Sequence, residues 1–241
     1  MKFELQIALK KNEIPIEYRK SILSLIKMAL TNANDGIYFK DFFDGSKSKD
    51  YTFSVKLNNP NFKEKSIELG NEQITIMFST YNKKSGYILF TAFSEQIGKK
   101  FPLANENFMI IDRVRLIKER EAKEKEALVK FLSPLVVREH NNQSNKDWYY
   151  AVGDDEFVPK LTEIMRNQLL IAGIGTEATQ KIEVEVVMMK KVIVKHYNCN
   201  IQSSLGFLKI KGSSSIINYF IKSGIGSRRS AGFGTPELIS E

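Results

Sequence analysis

The sequence predicts an α+β chain made of two successive β-α-β-β-α-β passes. Three observations carry that reading. Phe3, Leu5, Ile7 and Leu9 alternate with polar residues, the period of a half-buried strand. Apolar residues then recur at helical spacing from Tyr18 to Ala33. Beyond a charged run at 118–126, the same order of elements can be traced a second time.

Taken in order, the opening strand is followed by a helix with Pro15 in its first turn. Tyr18, Ile22, Leu25, Ile26, Ala29, Leu30 and Ala33 form its apolar face, and Asn34-Asp35-Gly36 stops it. A polar, aromatic loop, IYFKDFFDGSKSK, comes next. Strands are expected at 51–57 and 73–79, a helix at 86–97, and a strand at 108–118 around Met109, Ile111, Val114 and Leu116. This order is the ferredoxin-like arrangement, an antiparallel sheet with two helices on one face.

KEREAKEKE at 118–126 interleaves both signs of charge and reads as a solvated connector, so the domains are drawn as 1–122 and 123–241. The second half is expected to hold a strand at 128–138, an Asn- and Asp-rich loop and a helix at 156–172. Strands at 181–197 and 201–211, a serine-capped helix in SSSIINYFIKSG and a last strand in GTPELIS complete it. The repetition is one of element order; no sequence repeat joins the halves.

Composition narrows the function classes. The 241 residues, 42% hydrophobic, can bury one large core or two small ones. With 36 Lys plus Arg against 28 Asp plus Glu the net charge is +8, which favours phosphate backbones as partners. One cysteine, Cys199, allows no internal disulfide, and with two histidines it argues against zinc. Loop acids such as Asp41, Asp44 and the 154–156 run (Asp154, Asp155, Glu156) could face magnesium, although such runs more often begin a helix. No metal or other cofactor is expected. MKFELQIALKK is too polar for a signal peptide, and the apolar segment LLIAGIG at 169–175 is too short to span a bilayer. A soluble, cytoplasmic protein without a membrane partner is the expectation.

The most specific signal is GIGSRRSAGFG at 224–234, two Gly-hydrophobic-Gly triplets around Arg228 and Arg229. Glycines let backbone amides approach a polyanion, and arginine forks match phosphate oxygens. The alternative is a structural turn between helix and strand. Other candidate contacts are Lys222, Arg138 at the end of FLSPLVVR, and the aromatic-rich loop, whose Tyr38, Phe39, Phe42, Phe43 and Tyr51 could stack bases. Phe42 and Phe43 could instead plug the core, and Arg138 could pair with a surface acid. Lys190, Lys191 and Lys195 read as the wet face of a sheet.

The glycine-rich loop resembles the C-terminal signature of the CRISPR-associated endoribonucleases that cut repeat RNA precursors, members of the repeat-associated RNA-binding (RAMP) superfamily. Gly224, Gly226, Gly232 and Gly234 all match, with Ile225 and Phe233 in the hydrophobic slots; FLSPLVVRE at 131–139 and KDYTFSV at 49–55 extend the likeness. The resemblance implies tandem ferredoxin-like domains carrying a C-terminal glycine-rich loop. It also implies metal-independent cleavage within CRISPR repeat RNA, by attack of a 2′-hydroxyl, to a 2′,3′-cyclic phosphate. Lys49 matches the family's recurring lysine and would stabilise the phosphorane. Tyr38 and Lys40 stand where a histidine is usual and would orient the 2′-hydroxyl, with Lys47 on a neighbouring phosphate. His140 and His196 fall elsewhere and read as surface or packing residues. The alternatives are a catalytically silent RNA-binding module and a subunit of an effector complex with other CRISPR proteins. Room is left for a homodimer.

Overall fold

The computed structural model describes residues 1–43 and 49–241. Lys2–Leu9 forms β1, with Phe3, Leu5, Ile7 and Leu9 all buried on one face as the alternation requires. Helix α1, Tyr18–Asn32, buries Ile22, Leu25, Ile26, Ala29 and Leu30 against that face. It begins later than Pro15 suggested, because Glu13–Pro15 is a short strand paired with Ser66–Glu68. A one-turn helix, Phe39–Phe43, follows.

β2 (Tyr51–Leu57) and β3 (Gln73–Thr80) come next, then α2 (Lys83–Ser94) and β4 (Phe108–Ile117). α2 starts three residues before the expected 86, because the Asn82 side chain accepts hydrogen bonds from the amides of Lys84 and Ser85 and so caps it. The antiparallel sheet runs β2-β3-β1-β4, with Lys100–Pro102 as an edge strand beyond β4.

After a connector at 118–125 comes β5, Glu126–Phe131. The single strand expected over 128–138 is two strands in two sheets. The break holds Pro134, which has no amide to donate to a ladder. The chain resumes as β6 (Val137–Asn141), which pairs with β7 (Lys146–Tyr150) in a hairpin where a plain loop was expected. α3 (Phe157–Ile171), β8 (Glu183–His196), β9 (Cys199–Lys211), α4 (Ser214–Ser223) and β10 (Pro236–Ser240) complete the chain. Their sheet runs β8-β9-β5-β10, the strand permutation of the first sheet repeated. The architecture is a tandem ferredoxin-like one. One core draws on residues from Phe3 to Ile111 and the other on residues from Ala122 to Leu238. Among the described residues no helix is long and apolar enough to cross a membrane.

The segment between α4 and β10 joins the two domains. Thr235 Oγ1 donates to the Phe53 carbonyl of β2 at 2.8 Å and lies 2.7 Å from Thr52 Oγ1, while Thr235 N donates to Ser133 Oγ. Arg19 of α1 is buried and donates to the Gly232 carbonyl at 3.1 Å, its guanidinium 4.7 Å from the ring centres of both Tyr18 and Phe233. Tyr81 and Tyr219 meet edge to face across the same seam. The bonds of Thr235 to Phe53 and Thr52 and of Arg19 to Gly232 are buried and cross between the domains, so each satisfies polar groups that neither domain could satisfy alone.

Candidate nucleic-acid interface

Strand period places Arg138 and His140 of β6 on one face of the hairpin, opposite Tyr149 and Asp147 of β7. Asp147 is the hub of that face. Its carboxylate accepts from Arg138 at 3.1 and 3.2 Å, from Tyr149 Oη at 3.0 Å and from Arg228 at 3.1 Å, and it lies 2.8 Å from His140 Nδ1. Arg228 reaches it from the tip of the 224–234 segment, in the left-handed conformation at φ 58°, and also donates to Tyr149 Oη at 2.7 Å. Partial burial acts to raise the Asp147 carboxyl, but the hydrogen bonds from His140, Arg138 and Tyr149 outweigh it and pull the pKa down to about 2.

Next to this face lies an open concavity of about 380 Å³. Lys49, Arg138 and the Gly226–Ser230 stretch line it, with Gln168 and Ile171 of α3. Lys49 Nζ sits 5.5 Å from the Phe43 ring centre; partial burial and the neighbouring charge of Lys27 both lower its pKa. Lys49, Arg138, Gly226, Arg228 and Arg229, drawn from both domains, are thus brought to one concavity.

Arg229 contributes as part of the wall. It is buried, donates to the Ser223 carbonyl at 2.8 Å and interacts with Tyr219 and Asp50. Lys222 faces a different groove, with Lys2, Lys118 and Arg120, where it pairs with Glu121 at 2.5 Å and Glu119 at 3.4 Å. Tyr38 is half-buried and Lys40 exposed, beside and on the one-turn helix whose Phe43 supports Lys49. Phe42 is buried against Tyr51 and belongs to the core. Lys47 and Asp44 lie outside the described residues. Asp154 accepts from Ala151 N and Gln202 Nε2, and Glu156 stands just before α3 without a side-chain bond to its first turn.

The four glycines pack against protein. A Cβ on Gly232 would lie 2.5 Å from the Phe53 ring, on Gly224 2.9 Å from Thr52, on Gly226 2.6 Å from the Val136 carbonyl and on Gly234 1.9 Å from the Ile225 carbonyl. Their amides are largely engaged within the protein as well: Gly226 N donates to Gln168 Oε1, and Gly234 N to the Pro134 carbonyl. The surface turned to the concavity is the tip at Ser227–Ser230.

His196 is buried, packs on Phe233 and Tyr197, and has neither ring nitrogen hydrogen-bonded; burial, then Arg228 and Arg19, depress its pKa to about 4. It is a neutral packing residue, the second of the two readings, surface or packing, that the sequence left open. Sequence reasoning missed Asp50, Asp147 and Tyr149. The last two carry no mark in the sequence; only the hairpin register sets Asp147 opposite His140 and Tyr149 opposite Arg138.

Two ferredoxin-like domains meet at the 224–234 segment, and the comparisons place this fold among known ones. Residues 117–238, half of the chain, match the family described as CRISPR associated protein Cas6, C-terminal. The chain belongs to the Cas6 family. A Cas6-related protein from Pyrococcus furiosus superposes with a TM-score of 0.85 at 21% identity, covering 100% of this chain and 99% of its own. A RAMP protein described as binding different RNA substrates gives 0.84 at 22%, covering 100% of both chains. A Cas6 product complex gives 0.72 at 12%, covering 99% of both. At these identities the likeness establishes the fold. No curated protein matches the chain.

Proposed function

We propose that this protein binds CRISPR repeat RNA and cleaves precursor transcripts within each repeat, without a metal ion. The observation that carries the reading is the convergence of Lys49, Arg138 and Arg228 on one concavity at the seam of a Cas6-family fold. Arg138 and Arg228 hold backbone phosphates. Their forks are already oriented by Asp147, so little side-chain freedom is lost on binding. Lys49, pressed against Phe43 and beside Lys27, supplies positive charge to the phosphorane and a proton to the departing 5′-oxygen. Its lowered pKa suits that proton transfer. Tyr38 and Lys40 help orient the 2′-hydroxyl, and Lys47 holds an adjacent phosphate.

The base that takes the 2′-hydroxyl proton is the service for which sequence offered least. His140 is a candidate, because Asp147 engages Nδ1 and so fixes the ring on the hairpin face beside Arg138. The test is single-turnover cleavage of a repeat RNA. Lys49→Ala should slow cutting about 100-fold or more with binding intact, while Arg228→Ala should weaken binding. Unchanged cleavage in Lys49→Ala removes that lysine from the chemistry. Tight binding with no cleavage by the unmodified protein leaves an RNA-binding module of this fold, standing alone or within an effector complex.

A further inference from the structure

A second pocket adjoins the concavity, with a volume of about 330 Å³. We propose that it is a subsite for one unpaired nucleobase of the bound RNA, with guanine the preferred occupant; this rests on the RNA-binding reading above.

The pocket lies where the two domains meet. Asp50 precedes β2, Tyr81 and Asn82 stand between β3 and α2, Ile171 ends α3, and Tyr219 projects from α4. It shares Ile171 and Arg229 with the concavity, and Lys49 of one neighbours Asp50 of the other in the chain. A phosphate gripped beside Lys49 therefore presents an attached nucleotide to the mouth of this pocket.

Two of its walls are apolar surfaces left open to solvent. Tyr81 is 48% exposed, with its ring braced edge to face by Tyr219 at 5.1 Å, and Ile171 is 71% exposed. An aromatic face and an aliphatic wall from opposite domains make a slot for a flat heteroaromatic ring, which is how unpaired bases are held.

The polar lining selects among bases. Asp50 is a half-buried carboxylate: burial raises its pKa, opposed by hydrogen bonds it accepts from its own amide, from Ser85 and from the Asn82 backbone and by the charge of Arg229, so a base would share a carboxylate that is already partly engaged. Asn82 spends its side-chain oxygen on capping α2, which leaves Nδ2 as the donor. An acceptor carboxylate beside an amide donor complements guanine, whose N1–H and N2–H₂ donors adjoin the O6 acceptor. Guanine alone can give the carboxylate two adjacent donors at once, N1–H and N2–H₂; adenine, cytosine and uracil can offer it one donor each, so the selection rests on that second bond. Arg229 is already bonded to Ser223 and forms a wall of the pocket.

The test is equilibrium binding of octauridylate and of the same octamer with one central guanosine, adenosine, cytidine or inosine, to the unmodified protein, Tyr81→Ala and Asp50→Asn. The guanosine octamer should bind about tenfold more tightly than octauridylate, with inosine, which lacks the 2-amino group, in between. Tyr81→Ala should remove the advantage, and Asp50→Asn should bring guanosine down to the level of adenosine. Equal binding of all octamers, or a guanosine preference that survives both variants, overturns the subsite and leaves the RNA reading intact. Binding of no octamer at low salt overturns the RNA reading itself. Should Asp50→Asn unfold the protein because the carboxylate only steadies Arg229, the half-exposed Tyr81→Ala variant decides alone.

Discussion

Replacing Gly234 with alanine should destabilise the protein far more than the same change at Gly98. Both glycines have positive φ, +62° and +76°. Each alanine variant therefore incurs about 1–2 kcal/mol of left-handed strain, offset by about 0.4–1 kcal/mol from a stiffer unfolded chain. At Gly98 nothing lies within 4 Å of the added Cβ, so the net loss should be about 1 kcal/mol. At Gly234 the Cβ would stand 1.9 Å from the Ile225 carbonyl oxygen, well inside contact distance. Ile225 cannot retreat freely, because its amide donates to the Gly234 carbonyl at 2.9 Å. Moving Gly234 away instead breaks its bond to Pro134 and disturbs Thr235, which ties Thr52, Phe53 and Ser133 together. Losing two or three buried hydrogen bonds at about 1 kcal/mol each, added to the same backbone loss, brings the total to about 3–4 kcal/mol. Urea denaturation of both variants measures the difference, and RNA binding by Gly234→Ala should fall with it. Equal midpoints for the two variants would refute the argument that this glycine is required by packing across the seam.

Other consequences can be checked separately. The Asp147 carboxyl is held at about 2 against an ordinary 3.8, so its pairing stabilises the fold above about pH 4 and is lost as pH falls through 2. Allowing for solvent screening, Asp147→Asn should cost about 1 kcal/mol at neutral pH and nothing near pH 2, read from denaturation curves at both. His196 is held neutral with a pKa of about 4, so the unfolded chain takes up its proton first on acidification. Stability should drop by about 2 kcal/mol between pH 7 and pH 5 in the unmodified protein, and the drop should vanish in His196→Leu. Lys222 is committed to Glu119 and Glu121, so Lys222→Ala should leave the salt dependence of RNA binding unchanged, whereas Arg228→Ala should lower its slope by about 1.

The periodic elements were legible from sequence because their burial patterns are local. β1, α1, β2, β3 and β4 fall within a few residues of where alternation and helical spacing put them, and so do α3 and the β8–β9 pair. The hairpin at 137–150 was not, since its two strands, VREHN and KDWYY, mix charged residues with aromatic ones and give no hydrophobic alternation to read. The part of the glycines at 224–234 was hidden for a different reason. What fills the space beside Gly224 and Gly232 is Thr52 and Phe53, residues some 170 positions earlier in the chain, and local sequence carries no trace of that contact. Arg228 and Arg229 look equivalent as neighbours. The left-handed turn at Arg228 sends one guanidinium to the hairpin face and leaves the other inside the seam. Asp147 escaped notice because an isolated aspartate in a polar loop has no signature until register sets it opposite His140.

The most direct test of the central claim is cleavage of a CRISPR repeat RNA in EDTA, alongside the same RNA carrying a single 2′-deoxy substitution at the scissile nucleotide. The account predicts one cut in the all-ribose substrate, a 2′,3′-cyclic phosphate on the upstream product, and no cut in the deoxy substrate. Cleavage that stops in EDTA, or that proceeds unchanged through the deoxy position, would contradict it.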